Sequence, residues 1–423
     1  MPFQRLRGTH DIHGEDAGVF RRVEREARKV FGDFGFEELR TPVMEEKELF
    51  TRALGQDTDV VQKEMYEFSD RSDLRVALRP EGTAGVVRAY IENNFQKTLG
   101  LAKFYYIGAM FRSERPQAGR LRQFHQIGVE QLGTDEPLAD AETLHCLAVF
   151  LDRLGVRDYA IRLNNLGTFE ERKDYREKLT AYFTPKKSSL CEDCQKRLAT
   201  NVFRILDCKN ETCRKVVRSA PRLGDHLTPE SRAHHDRVTD ALRSAGIAFS
   251  EDPYMVRGLD YYTKTVFEVS HPKLGAQDAL AAGGRYDKLI ESLGGSPAGA
   301  VGFALGIERL SLVLAGTEAP PSKHKKETVF VAMLGDEAVR EGFKLAAALR
   351  RAGTSVLADF SARSLKSQMR LADKEHCRYV AILGEDELKK KKIVVKDMND
   401  GSQQEVPLDK AVETLSKKAG SAC

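Results

Sequence analysis

The stretch RGLDYYTKTVFEV, residues 257–269, places an arginine, an aspartate and two tyrosines just ahead of TVFEV, where apolar and polar side chains alternate. The alternation predicts a half-buried strand. So much hydrogen-bonding capacity at its start exceeds what a strand requires. In LRPEGTAG, residues 78–85, Glu81 stands between Pro80 and Gly82, in a turn that can hold a carboxylate at a cavity wall. There it would accept hydrogen bonds from an ammonium group. A plain capping turn ahead of the helix TAGVVRAYI, with Thr83 at its start, explains the same residues.

Arg112 ends a second strand pattern, LAKFYYIGAMFRSE, so the sheet would fix its position. A guanidinium held there can grip a phosphate bidentately. The loop that follows is basic through Arg115, Arg120 and Arg122, which suits a nucleic-acid backbone; a solvated charged loop is the commoner fate of such a stretch. Gln126 and Glu130 lie four apart on the returning strand FHQIGVEQLG and therefore face one side. Two polar groups on a strand that also carries Phe124, Ile127 and Val129 point to a wet pocket or to a solvent face. The glycines of AAGGRYDKL and GSPAGAVGFALGIERL would let backbone approach a ligand, or form tight turns. Arg309, at a junction of strand and helix, would clamp a phosphate or simply start the helix. The pattern CEDC, a gap of 13 residues, then CKNETC brings Cys191, Cys194, Cys208 and Cys213 into the shape of a tetrahedral zinc site. Reduced, half-buried thiols in a helical module are the alternative.

These groups need elements to position them. Apolar residues at spacings of three and four predict helices near residues 17–34, 45–54 and 139–154. Between the first two, GFEELRTPVM reads as a strand broken at Pro42, hence at an edge, a bend or an interface. LAKFYYIGAMFRSE and FHQIGVEQLG form a long hairpin with a basic tip. From about 168 to 235 strand patterns cease, and a Lys- and Arg-rich helical insertion carries four of the cysteines. TEAPPSKHKKE, residues 317–327, reads as a linker. Beyond it, strands TVFVAML, TSVLADF, RYVAILG and KIVVKDM interleave with helices at 338–351 and 365–376, predicting a small α/β unit with a largely parallel sheet. The run Lys389–Lys392 reads as a solvated strand edge more readily than as a contact for nucleic-acid backbone.

The chain has 423 residues, enough for two or three domains, with 41% hydrophobic and 31% charged residues. That composition is globular rather than disordered. No apolar run is long enough to span a bilayer, and no apolar segment of secretory type opens the sequence, so a cytoplasmic location is expected. A net charge of +4 permits a nucleic-acid partner without requiring one. Seven cysteines without a leader argue against a disulfide framework.

Together the pieces resemble the bacterial histidyl-tRNA synthetase family of class II aminoacyl-tRNA synthetases, over essentially the whole chain. GFEELRTPVMEEKELFTRALG resembles motif 1, KFYYIGAMFRSERPQAGRLRQFHQIGVEQLG motif 2, and AVGFALGIERL motif 3. RGLDYYTKTVFEV and AAGGRYD resemble the two histidine-specific motifs, which other class II enzymes lack. The resemblance implies an α+β fold. A class II core of antiparallel sheet flanked by helices would occupy 1–320, with the helical insertion inside it. A C-terminal α/β anticodon-binding domain would occupy 327–423. It implies a histidine–tRNA ligase that joins L-histidine to ATP, as its Mg2+ complex, and transfers histidine to the 3′ end of tRNA(His). Arg112 and Arg257 would be catalytic and, with Arg309, would hold ATP. Glu81, Thr83, Gln126, Glu130, Tyr261, Tyr262 and Tyr286 would hold histidine. The polar crowd at the start of the 257–269 stretch would then face a small ring that both donates and accepts a hydrogen bond. Arg115, Gln117, Arg120 and Arg122 would meet the tRNA acceptor end, and motif 1 would build a homodimer. The cysteines are not needed for this chemistry. Three rival readings remain: a regulatory paralogue that binds histidine without turnover, a synthetase for another amino acid, and a tRNA-binding scaffold.

Overall fold

The alternation in the two hairpin segments becomes two ten-residue strands, Ala102–Phe111 and Gln123–Leu132, paired antiparallel from Ala102 opposite Leu132 to Phe111 opposite Gln123. They begin an eight-stranded sheet. Its order is Glu37–Glu38, Ala102–Phe111, Gln123–Leu132, Ala300–Gly306, Ala279–Arg285, Thr263–Ser270, Ala160–Asn165 and Ser250–Glu251. The six inner strands run antiparallel, and only the two-residue strands at the edges pair parallel. Pro42 breaks the motif 1 segment as expected, between Glu37–Glu38 and Met44–Glu46. The second of these joins Arg75–Leu78 and Glu67–Ser69 in a separate three-stranded sheet. The computed structural model describes residues 3–56, 58–117, 119–256, 261–275, 278–315, 327–361 and 363–420.

Period two along each strand sorts the side chains into two cores. Ile127, Val129, Phe267, Val269, Phe303 and Leu305 face the helices Gly14–Asp33, Pro137–Arg153 and Ile307–Leu314. The opposite face, with Phe104, Tyr106, Val266 and Tyr286, packs on the helix Thr83–Glu92 and on the insertion. The candidate site opens on this second face.

The insertion is helical among the described residues. Helices Phe169–Phe183, Glu192–Thr200, Glu211–Val217 and Pro229–Ser244 are linked by short 3-10 turns. Thr168 opens the first with a capping box to Glu171. The expected limit at 235 falls inside the last helix, which continues to Ser244 because its buried Val238 and Leu242 belong to the core of the sheet.

The chain separates into two compact units, Met1–Thr317 and Glu318–Cys423. The second has a five-stranded sheet ordered Val356–Ala358, Val329–Met333, Tyr379–Leu383, Lys392–Asp397, Gln403–Pro407. The expectation of a largely parallel sheet is corrected here. The first three strands are parallel, but the last two pairings are antiparallel. Helices of 16 and 10 residues carry the chain back between the parallel strands. Only the five-residue helix Glu385–Lys389 and a turn at Lys391 precede the fourth strand, too little for a parallel crossover. The run Lys389–Lys392 passes from that helix end through a turn at Lys390 and Lys391 to the first residue of the fourth strand, Lys392, so only its last residue belongs to a strand.

Candidate active site

Period two on Gln123–Leu132 turns Phe124, Gln126 and Glu130 into one cavity of about 1040 Å³, which Arg112, Arg309, Tyr261, Tyr262 and Tyr286 also line. At its closed end lies Glu130, 1% exposed. Thr83 Oγ1 donates to Glu130 Oε1 at 2.6 Å, and the Tyr286 hydroxyl donates to Oε2. Burial pushes the Glu130 carboxyl up to about 8, against the pull of those two hydrogen bonds. Tyr261 packs tilted against Tyr262 and edge-on against Tyr286, with ring centroids 4.6 Å and 5.6 Å away. All three rings are buried.

Glu81 satisfies both of its sequence readings. Its carboxylate accepts from the backbone N–H of Thr83 at 2.7 Å and of Ala84 at 2.9 Å, capping the helix Thr83–Glu92. It also lines the cavity, and burial raises its pKa despite those donors. Thr83 is the first residue of that helix, as expected, and its hydroxyl turns to Glu130.

At the other end Arg112 is positioned from two sides. Its Nε donates to Pro80 O at 2.9 Å, and its guanidinium lies over the Phe124 ring, 5.3 Å from the centroid. Among the described residues its terminal nitrogens have no hydrogen-bond partner, and the residue lines the cavity. Arg309 lies at the first turn of Ile307–Leu314, where burial lowers its pKa and the Arg120 charge lowers it further. Arg257 lies outside the described residues, so nothing is said of its placement. In the hairpin loop, Arg115 and Gln117 are exposed, while Arg120 and Arg122 are half-buried. Arg120 bonds Glu114 at 3.2 Å, and the Arg122 N–H donates to Gly8 O at 2.7 Å. Cys191, Cys194, Cys208 and Cys213 converge in the insertion, with every Sγ within 4.8 Å of the others.

Sequence reasoning missed several parts. Tyr106 lies beside this pocket with its ring against Gly82 and Gly128, where any Cβ would strike it. A Cβ at Gly302 would collide with Glu130 Oε2. Of the two readings of the glycines in GSPAGAVGFALG, close approach rather than a tight turn holds at Gly302, which lies within the strand Ala300–Gly306. Arg285, 0% exposed, holds Asp140 Oδ1 with Nε at 3.0 Å and Nη2 at 2.6 Å, and Asp287 Oδ1 with Nη1 at 2.9 Å. His234 Nε2 meets Asp140 at 2.8 Å. Burial raises the Asp140 pKa, but Arg285 and His234 outweigh it and hold the group ionised. This network anchors the backbone just before Tyr286. Its only signal in the sequence was an arginine beside that tyrosine.

An antiparallel sheet with an arginine at a strand end, and a helix-capping carboxylate lining the same cavity, is the arrangement expected from the resemblance to class II aminoacyl-tRNA synthetases. The histidyl-tRNA synthetase family matches residues 8–310, and the anticodon binding domain family matches 328–418. The chain belongs to the histidyl-tRNA synthetase family. A histidine–tRNA ligase of Aquifex aeolicus is 46% identical over 409 residues, 96% of this chain and 99% of the relative. One of Thermosipho melanesiensis is 44% identical over 413 residues, 97% and 98% of the two chains. The crystal structure of apo histidyl-tRNA synthetase from S. aureus superposes with a TM-score of 0.81 at 36% identity, covering 98% of this chain and 100% of that one. No helix among the described residues is long and apolar enough to cross a membrane.

Proposed function

We propose that the chain is a histidine–tRNA ligase, and the observation that carries this reading is the buried Glu130 between Thr83 and Tyr286. At one closed end the Glu130 carboxyl offers an acceptor to a neutral imidazole, and the Tyr286 phenol, once it exchanges its bond to Glu130 for one to the ring, offers the donor. A ring lacking either nitrogen would leave a buried polar group unpaired. Gln126, Tyr261 and Tyr262 complete the walls around histidine, and Glu81 with Thr83 takes its α-ammonium group.

The α-carboxylate oxygen attacks the α-phosphorus of ATP, and pyrophosphate leaves. A hydroxyl of the tRNA 3′-terminal ribose then attacks the histidyl carbonyl carbon, and AMP leaves. ATP enters as its magnesium complex, a substrate rather than a resident metal. Arg112 supplies a fixed positive charge at the α-phosphate. Family resemblance assigns Arg257 to the region of the substrate carboxylate and α-phosphate, and Arg309 to the γ-phosphate end. Such groups act by stabilising charge that develops in the transition state. Arg115, Gln117, Arg120 and Arg122 face the acceptor end of tRNA(His).

The division proposed is a catalytic domain over 1–320, with its insertion, and an anticodon-binding domain over 327–423. The two compact units support it. A cytoplasmic homodimer is part of the same reading. Exposed Val43 and Met44 in the motif 1 segment, with exposed Phe68 and Leu74 on or near the adjoining three-stranded sheet, support a partner surface there.

The test is histidine-dependent exchange of pyrophosphate into ATP by purified protein, with the Arg112→Ala variant as control. Exchange with histidine alone among the amino acids, lost in the variant, is the expected result. A folded protein that binds histidine without exchange would instead be a regulatory paralogue.

A further inference from the structure

The four cysteines of the insertion have no role in the adenylation chemistry. Each comes from a different point of a small helical joint. Cys191 precedes the helix Glu192–Thr200 as its N-cap, and Cys194 lies in that helix's first turn. Cys208 follows the 3-10 turn Val202–Ile205, and Cys213 lies in the helix Glu211–Val217. Helices of nine and seven residues are too short to be stable alone. Cys194 and Cys213 are fully buried, while Cys191 and Cys208 are half-buried. None is in a disulfide.

Distances separate a metal site from a chance thiol cluster. Zinc–sulfur bonds of about 2.3 Å in a tetrahedron place the sulfurs about 3.8 Å apart. The Cys191 and Cys208 Sγ atoms are 3.8 Å apart, and all four lie within 4.8 Å of one another. A disulfide requires about 2.05 Å. The Cys191 backbone N–H also donates to Cys213 Sγ at 3.2 Å, the kind of outer contact that orients a thiolate ligand and offsets its charge. Lys209 and Arg214 are adjacent in sequence to Cys208 and Cys213, and their charges oppose the negative charge of a four-thiolate zinc centre. Among the described residues no other group of three or more Cys, His, Asp or Glu side chains converges in this way.

We propose that Cys191, Cys194, Cys208 and Cys213 bind one structural zinc ion that staples the insertion. Four thiolate ligands would fill a tetrahedral site and leave no open position, so the metal would support folding rather than catalysis. Its effect reaches the active site, because Arg204, Cys208, Lys209, Arg214 and Arg218 line the wall of the main cavity. The zinc therefore holds a basic wall in place. This inference does not depend on the amino acid that the cavity accepts.

The test is metal analysis of the untagged full-length protein by mass spectrometry, followed by exchange of the metal for cobalt(II). About one zinc per chain is expected, together with cobalt bands of intense thiolate charge transfer and tetrahedral d–d type. Cys208→Ser, at a half-buried position, should lower the zinc content at least about tenfold, whereas Cys377→Ser in the other unit should leave it unchanged. Circular dichroism confirms that both variants are folded. Wild-type protein that is folded, zinc-poor after exposure to zinc, and without cobalt–thiolate bands overturns the proposal. So does iron at the site in place of zinc, or full zinc retention by Cys208→Ser.

Discussion

The two ends of the main cavity are built on opposite electrostatic principles. The closed end consists of Glu81, Glu130, Thr83, Tyr261, Tyr262 and Tyr286, all buried, with carboxyl pKa values raised by desolvation. Their protonation is set by the fold and is open to change by a ligand. The other end carries the guanidiniums of Arg112 and Arg309, whose charge does not change at any working pH, among carboxylates that include Glu64, Glu114 and Glu308. Arg112 is held there by a carbonyl and a ring rather than by a carboxylate. Recognition by hydrogen-bond pairing belongs to the first end, and stabilisation of phosphoryl charge to the second. Loss of a buried partner should therefore act on substrate choice and on pH dependence, whereas loss of an arginine should act on turnover.

The sharpest break of that contrast is Glu130→Gln. An amide can accept, but its NH2 group confronts the donors of Thr83 and Tyr286, so kcat/KM for histidine should fall about 10⁴-fold in pyrophosphate exchange. A loss under tenfold would remove Glu130 from recognition. Arg112→Ala should lower kcat of exchange by about 10³-fold with a much smaller change in KM for histidine. If KM for histidine alone changes, the division between the two ends fails. Gly302→Ala, which drives a methyl against Glu130, should cost about 1–3 kcal/mol of stability and raise KM for histidine, measured by urea unfolding and steady-state exchange.

The pH dependence of stability gives a finer separation. The Glu130 carboxyl titrates near 8 in the fold, against an ordinary value of 4.5. Between those values the folded chain binds more protons than the unfolded one, so this group's contribution to stability falls as pH rises from about 4.5 through about 8. Glu130→Gln removes that titration. Its melting temperature relative to the parent should rise between pH 5 and pH 8.5, and a constant difference would refute the burial-driven shift. The smallest effect is expected at the exposed loop. Arg115→Ala with Gln117→Ala should slow tRNA charging by about tenfold, leave exchange unchanged and reduce the salt dependence of tRNA binding.

Much of this was readable before any coordinates. The 3.6-residue period marked the helix Gly14–Asp33, and Gly35, with φ of +78°, provides the turn that follows it. The even spacing of Gln126 and Glu130 placed both on one face of the strand, and the packing of the chain made that face a cavity wall rather than a solvent face. Other features carried no local mark. The hairpin of Lys392–Asp397 and Gln403–Pro407 carries a weak one, the Asp-Gly pair at Asp400 and Gly401, which the α/β alternation before it outweighs.

The sequence by itself determined which residues carry charge and hydrogen bonds, which segments become helix or strand, and which side of each element those residues share. These are properties of near neighbours. Tertiary structure alone decided what surrounds each group. It set Tyr286 on a carboxylate 156 residues away in sequence, buried Arg285 on Asp140, and left space for Glu130 only because residue 302 has no side chain. It also gathered four thiols from three turns of chain to distances suited to one metal ion. Burial and long-range contact depend on the whole packed chain, and they convert an ordinary glutamate into one that titrates near 8.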